Sequence, residues 1–175
     1  MSCPYIKTNR LAGWSFVFPR VNYDSLKKEG RPVMYREIRR DLFKTDPSWV
    51  VAHCISADAA LGAGIAKQFR NRFPKMSYEI ATQNPSVPDV IRYVTPHWCV
   101  VYNLVTKRKY WQQPTRPNLN ASLDLLIAQM RAHGETKLAI PMIGAGLDKL
   151  AWPATAKYLA QLADQFDLDI VVCKL

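Results

Sequence analysis

The sequence predicts a three-layer α/β/α domain, in which helices cover both faces of a central mixed sheet. Short apolar segments alternate along the chain with longer segments of helical periodicity. Several of the short segments are apolar throughout, which is typical of strands buried on both faces. No internal repeat or low-complexity linker interrupts this pattern. We therefore expect one domain over residues 31–175 and an N-terminal extension of unknown role over residues 1–30.

The predicted strands are short and rich in β-branched and other apolar residues. They are Met34–Ile38, Trp49–Ala52, Val90–Val94, Trp98–Thr106, Lys137–Pro141 and Ile170–Cys173. The third and fourth strands are close in the sequence, and we expect them to be neighbours in the sheet.

The predicted helices lie between these strands. The first has one face formed by Ile65, Ala66, Phe69 and Phe73, and the others are Pro74–Asn84, Pro117–His133 and Pro153–Phe166. In Pro117–His133 the apolar residues keep to one side, which is typical of a helix packed on a core. Gly134 is expected to end this helix in the left-handed conformation that glycine adopts readily.

Composition indicates an ordinary globular protein, with 49% hydrophobic and 22% charged residues. No apolar run reaches membrane-spanning length, and Met1–Arg20 has no secretory signal. The scattered cysteines lack the spacing of a zinc site; they are Cys3, Cys54, Cys99 and Cys173. We expect an intracellular protein, cytoplasmic or nuclear, that is monomeric, reduced and metal-free and does not bind membranes.

The charge is less ordinary, because 24 basic residues against 14 acidic ones give a formal net charge of +10. Basic residues cluster at Arg36–Arg40, Lys67–Arg72 and Lys107–Lys109. Such clusters usually form solvated faces that keep a protein soluble, and this interpretation is slightly favoured. Attraction to nucleic acid or another polyanion is the alternative.

Two glycine-containing loops each follow a predicted strand. Gly62 and Gly64 follow the strand at Trp49–Ala52, and Gly144 and Gly146 follow Lys137–Pro141. Glycine allows tight turns and a close approach of the backbone to a ligand. Parallel strands carry ligand sites at their carboxyl ends, and free N–H groups at a helix N-terminus favour anions. The two loops together would suit a diphosphate, although a single Gly-x-Gly is a weak signal.

Three blocks of sequence resemble a known family. They are HCISADAALGAGIAKQF from His53, YNLVTKRKYWQQPT from Tyr102 and IPMIGAGLDKLAW from Ile140. In this order they are similar to the macrodomains, α/β/α modules that bind ADP-ribose, and in particular to the terminal ADP-ribose protein glycohydrolase branch. The resemblance covers roughly residues 35–175.

The resemblance implies a set of site residues. Lys107 matches the family's reactive lysine and Asp148 its acid/base partner. Asp41 matches an aspartate that accepts a hydrogen bond from the adenine amino group, although Arg40 replaces the glycine that usually precedes it. The implied ligand-binding residues are Asp41, Leu42, Ser56, Gly62, Ala63, Gly64, Ile65, Met142, Ile143, Gly144, Ala145, Gly146, Leu147 and Leu175.

The implied chemistry needs no cofactor. In this family a lysine attacks the anomeric carbon of the distal ribose, and water resolves the resulting adduct. The amine must be unprotonated to attack, so apolar surroundings are expected to oppose its charging. His53 follows a buried run and is expected to be a hydrogen-bonded structural residue instead of a catalyst.

Three functions follow as hypotheses. The first is a hydrolase that removes mono-ADP-ribose from acidic side chains of proteins and also deacylates O-acetyl-ADP-ribose. The second is a module that binds ADP-ribose without turnover. The third is a hydrolase of ADP-ribosylated nucleic acid. Retention of both Lys107 and Asp148 favours an enzyme.

Overall fold

A computed structural model describes residues 34–96 and 99–174 of the chain. The predicted extension over residues 1–30, Trp98 at the start of a predicted strand, and Leu175 lie outside the described residues. Within the described ranges, no helix has the length and apolar character needed to cross a membrane.

The described chain contains strands, α-helices and one short 3-10 helix at Leu42–Lys44. The strands are β1 (Tyr35–Arg39), β2 (Val50–Ser56), β3 (Asp89–Val94), β4 (Val100–Lys107), β5 (Lys137–Pro141) and β6 (Asp169–Lys174). The helices are α1 (Gly64–Arg72), α2 (Pro74–Thr82), α3 (Arg116–Ala132) and α4 (Trp152–Phe166). Each predicted element is present, with ends shifted by a few residues; β2 extends furthest, through the first residues of the block that begins at His53.

The strands form one mixed sheet in the order β1-β6-β5-β2-β4-β3. Neighbouring strands are parallel except for β3 and β4, which are antiparallel. The predicted mixed sheet and the predicted pairing of β3 with β4 are therefore confirmed. Because β2, β4 and β5 are parallel neighbours, the loops that follow them emerge at the same edge of the sheet.

Two apolar cores lie on opposite faces of the sheet. Successive side chains of β2 alternate between them, with Val50 and Ala52 in one core and Val51 and Ile55 in the other. The first core also contains the buried residues of α3 and α4, and the second those of α1 and α2. This burial on both faces explains the continuous apolar runs of the sequence and confirms the three-layer fold.

Both ends of α3 are defined by local features, of which Gly134 was predicted from the sequence. The Thr115 side chain accepts a hydrogen bond from the Asn118 N–H and so caps the first turn. Gly134 has a φ of 69°, in the left-handed region where a Cβ would be strained. These two residues fix the length of the helix that covers one face of β4.

His53 is a structural residue, as expected. Its ring is 0% exposed and stacks on Phe69 with 4.0 Å between ring centroids. Its Nε2 lies 2.8 Å from the Asn103 Oδ1, while the Asn103 amide donates to the Ile91 carbonyl. Since the Asn103 oxygen accepts, Nε2 carries the hydrogen and the unpartnered Nδ1 is the atom that would take a second proton.

Burial lowers the pKa of His53 to about 4, against 6.5 for an exposed histidine. Between these values the unfolded chain binds a proton that the folded chain excludes. Stability should therefore fall as the pH is lowered from 6.5 to 4, by up to about 3 kcal/mol from this residue. Denaturant unfolding at several pH values measures the effect.

A His53→Gln variant is the matched control, because its amide can still donate to Asn103 but does not titrate. The difference in stability between parent and variant should change with pH in this window. Glu37, whose pKa is lowered by its hydrogen bond with Lys174, affects both proteins alike. A constant difference between the two would contradict the assignment to His53.

Candidate active site

A cleft of about 630 Å³ opens at the carboxyl ends of β2, β4 and β5. Its size falls within the range of small-molecule sites, about 300–1,000 Å³. The walls are formed by the loop after β2 with the start of α1, the loop after β4, and the loop after β5. Both predicted glycine loops therefore face the same cleft.

Lys107 and Asp148 meet inside this cleft. The Lys107 Nζ lies 2.7 Å from the Asp148 Oδ1, and the two side chains are only 15% and 14% exposed. Lys107 ends β4, whereas Asp148 follows β5 by several residues. An amine and a carboxylate held this closely can exchange a proton, and both can reach a ligand that occupies the cleft.

A bulge in β4 directs Lys107 into the cleft. Ile55 pairs with Val105, but the next residue, Ser56, pairs with Lys107, which leaves Thr106 as an extra residue. The Ala57 N–H donates to the Lys107 carbonyl at 2.9 Å and holds this register. Because a bulge interrupts the alternation of side chains, it aims the lysine differently from a regular strand.

The loop after β2 has an unusual backbone. Ala59 and Leu61 have φ values of 50° and 40°, and Gly64 has a φ of 55°. Positive φ is costly for residues with a Cβ, above all for a bulky leucine, and is retained where the surroundings hold it. This strain accompanies a backbone that winds around one side of the cleft.

Side chains from the neighbouring helices hold the strained loop in place. The Ser77 hydroxyl donates to the Ala59 carbonyl at 2.8 Å, and the Arg70 guanidinium donates to the Ala60 carbonyl at 3.1 Å. Neither Arg70 nor Ser77 is identifiable as a supporting residue from the sequence, because the contacts depend on how α1 and α2 pack. Their partners are carbonyls, so these two contacts use none of the N–H groups of the loop.

The N-terminus of α1 forms part of the wall of the cleft. In the described chain, the amides of Gly64, Ile65 and Ala66 donate to no protein acceptor, and all three residues line the cleft. Free amides at a helix N-terminus bind anions, with support from the helix dipole. The predicted anion-binding role of this loop therefore has the required groups.

In the loop after β5, the two glycines serve different purposes. Gly144 has a φ of 73°, and a Cβ there would lie 3.0 Å from Leu119 Cδ2 and 3.3 Å from Leu150 Cδ1. An added side chain at Gly144 would therefore meet the core, although Gly144 itself lines the cleft, and its predicted contact with the ligand stays a prediction. At Gly146 an added Cβ would meet nothing within 4 Å, so this is the glycine that borders open space.

Cys54 lies beneath this second loop and lines the cleft. Burial raises the pKa of its thiol well above the usual range, and the Gly144 backbone hydrogen-bonds to it. The thiol is therefore neutral and joins the end of β2 to the loop after β5. The sequence predicted only a buried apolar cysteine here.

Asp58 is a further residue that the sequence did not reveal. Its Oδ1 accepts a hydrogen bond from the Ser56 hydroxyl at 2.5 Å, and its Oδ2 accepts one from the Tyr110 N–H at 3.3 Å. It thus joins the end of β2 to the loop after β4. Ser56 itself is 5% exposed and lines the cleft. The available signal was its position in the block that begins at His53, between the predicted strand and Gly62.

The residues predicted to bind adenine are set apart from this cleft. Asp41 caps the short 3-10 helix, since its Oδ1 accepts from the Phe43 N–H at 3.0 Å. The Leu42 side chain is 3% exposed and belongs to the second core. Neither residue lines the cleft, and Leu175 lies outside the described residues. The roles of Asp41 and Leu175 at the adenine end stay predictions.

Two exposed aromatic rings stand at the cleft. Tyr110 and Trp111 are 63% and 65% exposed, and their rings meet edge to face with 4.9 Å between centroids. Both line the cleft next to Lys107. They were not among the predicted site residues, although their position directly after three basic residues was visible in the sequence.

Solved structures with this fold are macrodomains. The macrodomain of Mycobacterium tuberculosis DarG matches with a TM-score of 0.75 and 22% identity, over 81% of this chain and 98% of that one. The macrodomain of Thermus aquaticus DarG matches with a TM-score of 0.73 and 19% identity, over 81% and 99%. At these identities the likeness establishes the fold, which is that of a macrodomain.

Curated sequences extend the comparison. The human protein "ADP-ribose glycohydrolase OARD1" is 31% identical over 147 residues, which are 84% of this chain and 94% of that protein. A "DNA ADP-ribosyl glycohydrolase" of Mycobacterium tuberculosis is 28% identical over 141 residues, which are 75% of this chain but 40% of that protein. No protein-family model matches the chain.

The chain therefore belongs to the macrodomain family, in its terminal ADP-ribose glycohydrolase branch, and is a hydrolase. The predicted family and fold are confirmed by these likenesses. The roles of individual residues stay predictions.

The two glycines of the second loop provide a test of which one borders the ligand, taking ADP-ribose as the ligand expected from the family. Gly146→Val should reduce the affinity for ADP-ribose about tenfold or more, equivalent to ~1.4 kcal/mol, while the melting temperature stays close to that of the parent. Calorimetry and thermal unfolding measure the two quantities.

Gly144→Val should behave differently. Its Cβ would meet two core leucines at a positive φ, so we expect a loss of roughly 2–5 kcal/mol of stability. A stable Gly146→Val protein with unchanged affinity would remove that glycine from the ligand site.

Proposed function

We propose that this protein removes mono-ADP-ribose from acidic side chains of proteins through a covalent adduct on Lys107. The observation that carries the proposal is the 2.7 Å contact between Lys107 Nζ and Asp148 Oδ1 within a cleft bordered by two glycine loops. The cleft supplies groups suited to an anionic ligand, and the pair supplies a nucleophile with an acid/base partner.

In this proposal the diphosphate of ADP-ribose lies between the two loops. The free amides at the start of α1 bind phosphate oxygens on one side, and the backbone around Gly146 approaches from the other. The distal ribose then extends to the carboxyl end of β4, where Lys107 is. Adenine lies at the far end of the ligand, near Asp41, the residue predicted to bind it.

Asp148 takes a proton from Lys107 in the first step, because an ammonium group cannot act as a nucleophile. The amine then attacks C1″ of the distal ribose. The bond between C1″ and the ester oxygen breaks, and its electron pair leaves with that oxygen as the carboxylate of the acceptor. The ribose ring opens to an imine on Lys107, which water hydrolyses with Asp148 moving the protons. ADP-ribose is released and the free lysine returns.

The same pair would serve small substrates such as O-acetyl-ADP-ribose, which the cleft also accommodates. A protein that only binds ADP-ribose has no need for a nucleophile and a carboxylate at 14–15% exposure in direct contact. The ion pair therefore favours turnover over binding alone.

The covalent step can be tested by trapping. Incubation with ADP-ribose followed by borohydride should leave a stable adduct, and peptide mapping by mass spectrometry should find it on Lys107. Lys107→Ala should lose both the adduct and hydrolysis. Asp148→Ala should lower turnover by about 10²–10⁴-fold, the usual contribution of a positioned acid/base.

Two controls sharpen this test. Lys107→Arg keeps the positive charge opposite Asp148 but is not a nucleophile, so it should keep much of the affinity for ADP-ribose and lose hydrolysis. Lys109→Ala removes an exposed lysine of the same loop and should retain both properties. Parent-level hydrolysis by Lys107→Arg would contradict the covalent mechanism.

ADP-ribosylated nucleic acid is a second candidate substrate, favoured by one observation. The exposed Tyr110 and Trp111 rings directly follow Arg108 and Lys109 at the edge of the cleft. Exposed aromatic rings beside basic side chains are the arrangement on which bases of a single strand stack while phosphates pair with cations. The formal net charge of +10 adds to this attraction.

The salt dependence of binding distinguishes a basic surface that binds nucleic acid from one whose charge only keeps the protein soluble. If single-stranded DNA binds here, the logarithm of its affinity should fall with the logarithm of salt concentration by about 0.7 per neutralised phosphate. Trp111→Ala should weaken that binding, and ADP-ribose affinity should depend much less on salt. Fluorescence anisotropy measures both; absence of DNA binding at low salt would leave the charge as a solubility feature.

A further inference from the structure

A second cavity, of about 510 Å³, adjoins the cleft at Lys107. Its lining is polar and is formed by Val87, Thr106, Lys107, Arg108, Gln112, Gln113 and Asn118. It shares Lys107, Gln112 and Gln113 with the cleft between the glycine loops. The lysine therefore stands at the junction of two spaces.

We propose that this second cavity is the acceptor subsite, which holds the acidic side chain from which ADP-ribose is removed, with Arg108 binding the departing carboxylate. The inference rests on the proposed function, because it assumes attack by Lys107 on the bond between C1″ and the acceptor. It goes further in assigning the other half of the substrate to named residues.

The position of Lys107 supports this assignment. ADP-ribose bound in the larger cleft presents C1″ at Lys107, and the group attached to C1″ must project away from the nucleotide. The space that adjoins the cleft at Lys107 is the second cavity, and Gln112 and Gln113 also line both. The bond to be broken would thus cross from one cavity to the other.

The chemistry of the lining matches a carboxylate on a peptide. Arg108 is exposed and forms no ion pair with any described residue. A guanidinium binds a carboxylate through two parallel hydrogen bonds. Gln113 likewise has no intramolecular hydrogen bond among the described residues and can bind the peptide backbone of the acceptor.

Other side chains of this cavity have local roles. The Asn118 amide reaches towards the Thr106 carbonyl at 3.5 Å, and the Gln112 side chain accepts from the Lys109 N–H at 3.0 Å. The first contact joins α3 to the end of β4, and the second lies within the loop after β4. Arg108 is thus the cation of this lining, besides Lys107, that remains for an anionic leaving group.

The test compares Arg108→Ala, Arg108→Lys and Lys109→Ala with the parent. Lys109→Ala removes the same charge from the adjacent residue, which lines neither cavity. Three measurements are made on each full-length protein: affinity for ADP-ribose, formation of the Lys107 adduct with free ADP-ribose, and hydrolysis of a peptide carrying ADP-ribosyl-glutamate. The first two involve no acceptor.

Arg108→Ala should lower kcat/KM for the peptide about tenfold, the effect of losing a charge-assisted hydrogen bond. Its ADP-ribose affinity and adduct formation should stay within about twofold of the parent. Arg108→Lys should recover part of the loss, and Lys109→Ala should match the parent. This pattern would separate an acceptor role from damage to the catalytic pair.

Three outcomes would overturn the inference. Equal peptide hydrolysis by Arg108→Ala and the parent would remove Arg108 from the acceptor subsite, and equal losses in Arg108→Ala and Lys109→Ala would reduce the effect to general charge. When an ADP-ribosylated single-stranded DNA is assayed beside the peptide, a loss confined to the DNA substrate would assign the cavity to a nucleotide. Absence of hydrolysis and of adduct in the parent would instead refute the proposed function itself, and the subsite with it.

Discussion

The parallel pairing of β2 with β4 on one side and β5 on the other is the constraint on which the site depends. It brings the ends of three strands to one edge, and each strand contributes a different component. β2 leads into the strained loop and the free amides of α1, β4 ends in Lys107, and β5 leads to Gly146 and Asp148. The cores on both faces hold this arrangement, since β2 is buried on each side. The position of the Lys107–Asp148 pair therefore depends on the sheet as well as on the loop that carries Asp148.

Around that frame, the loops are joined to one another by short polar contacts. Asp58 connects the end of β2 to the loop after β4, and Cys54 connects β2 to the loop after β5. The Lys107–Asp148 contact joins the end of β4 to the loop after β5. Preorganised groups of this kind need little rearrangement when a ligand arrives, which is how a site holds reacting atoms in productive geometry. Lys107 borders both the cleft and the proposed acceptor subsite. The bound nucleotide and the bound acceptor would therefore both contact this residue.

The fold was accessible from the sequence, because burial on both faces of the sheet leaves continuous apolar runs and the helices keep their period. The two glycine loops were accessible for the same reason, since they directly follow such runs. The bulge at Thr106 was not, because register depends on pairing with β2 and leaves no local signal. The packing of Gly144 was not accessible either, because its missing Cβ faces Leu119, which is distant along the chain, and Leu150, which follows in the same loop. Arg70, Ser77 and Asp58 act through contacts that only the packing of α1, α2 and the loops creates.

The central claim is that ADP-ribose lies between the two glycine loops with its distal ribose at Lys107. A crystal structure of the Asp148→Ala protein with ADP-ribose tests it most directly. The account predicts phosphate oxygens on the amides of residues 64–66, and C1″ of the distal ribose within about 3–3.5 Å of the Lys107 Nζ or bonded to it. A ligand bound in the opposite direction, with adenine beside Lys107, or one outside the cleft between the loops, would contradict the account.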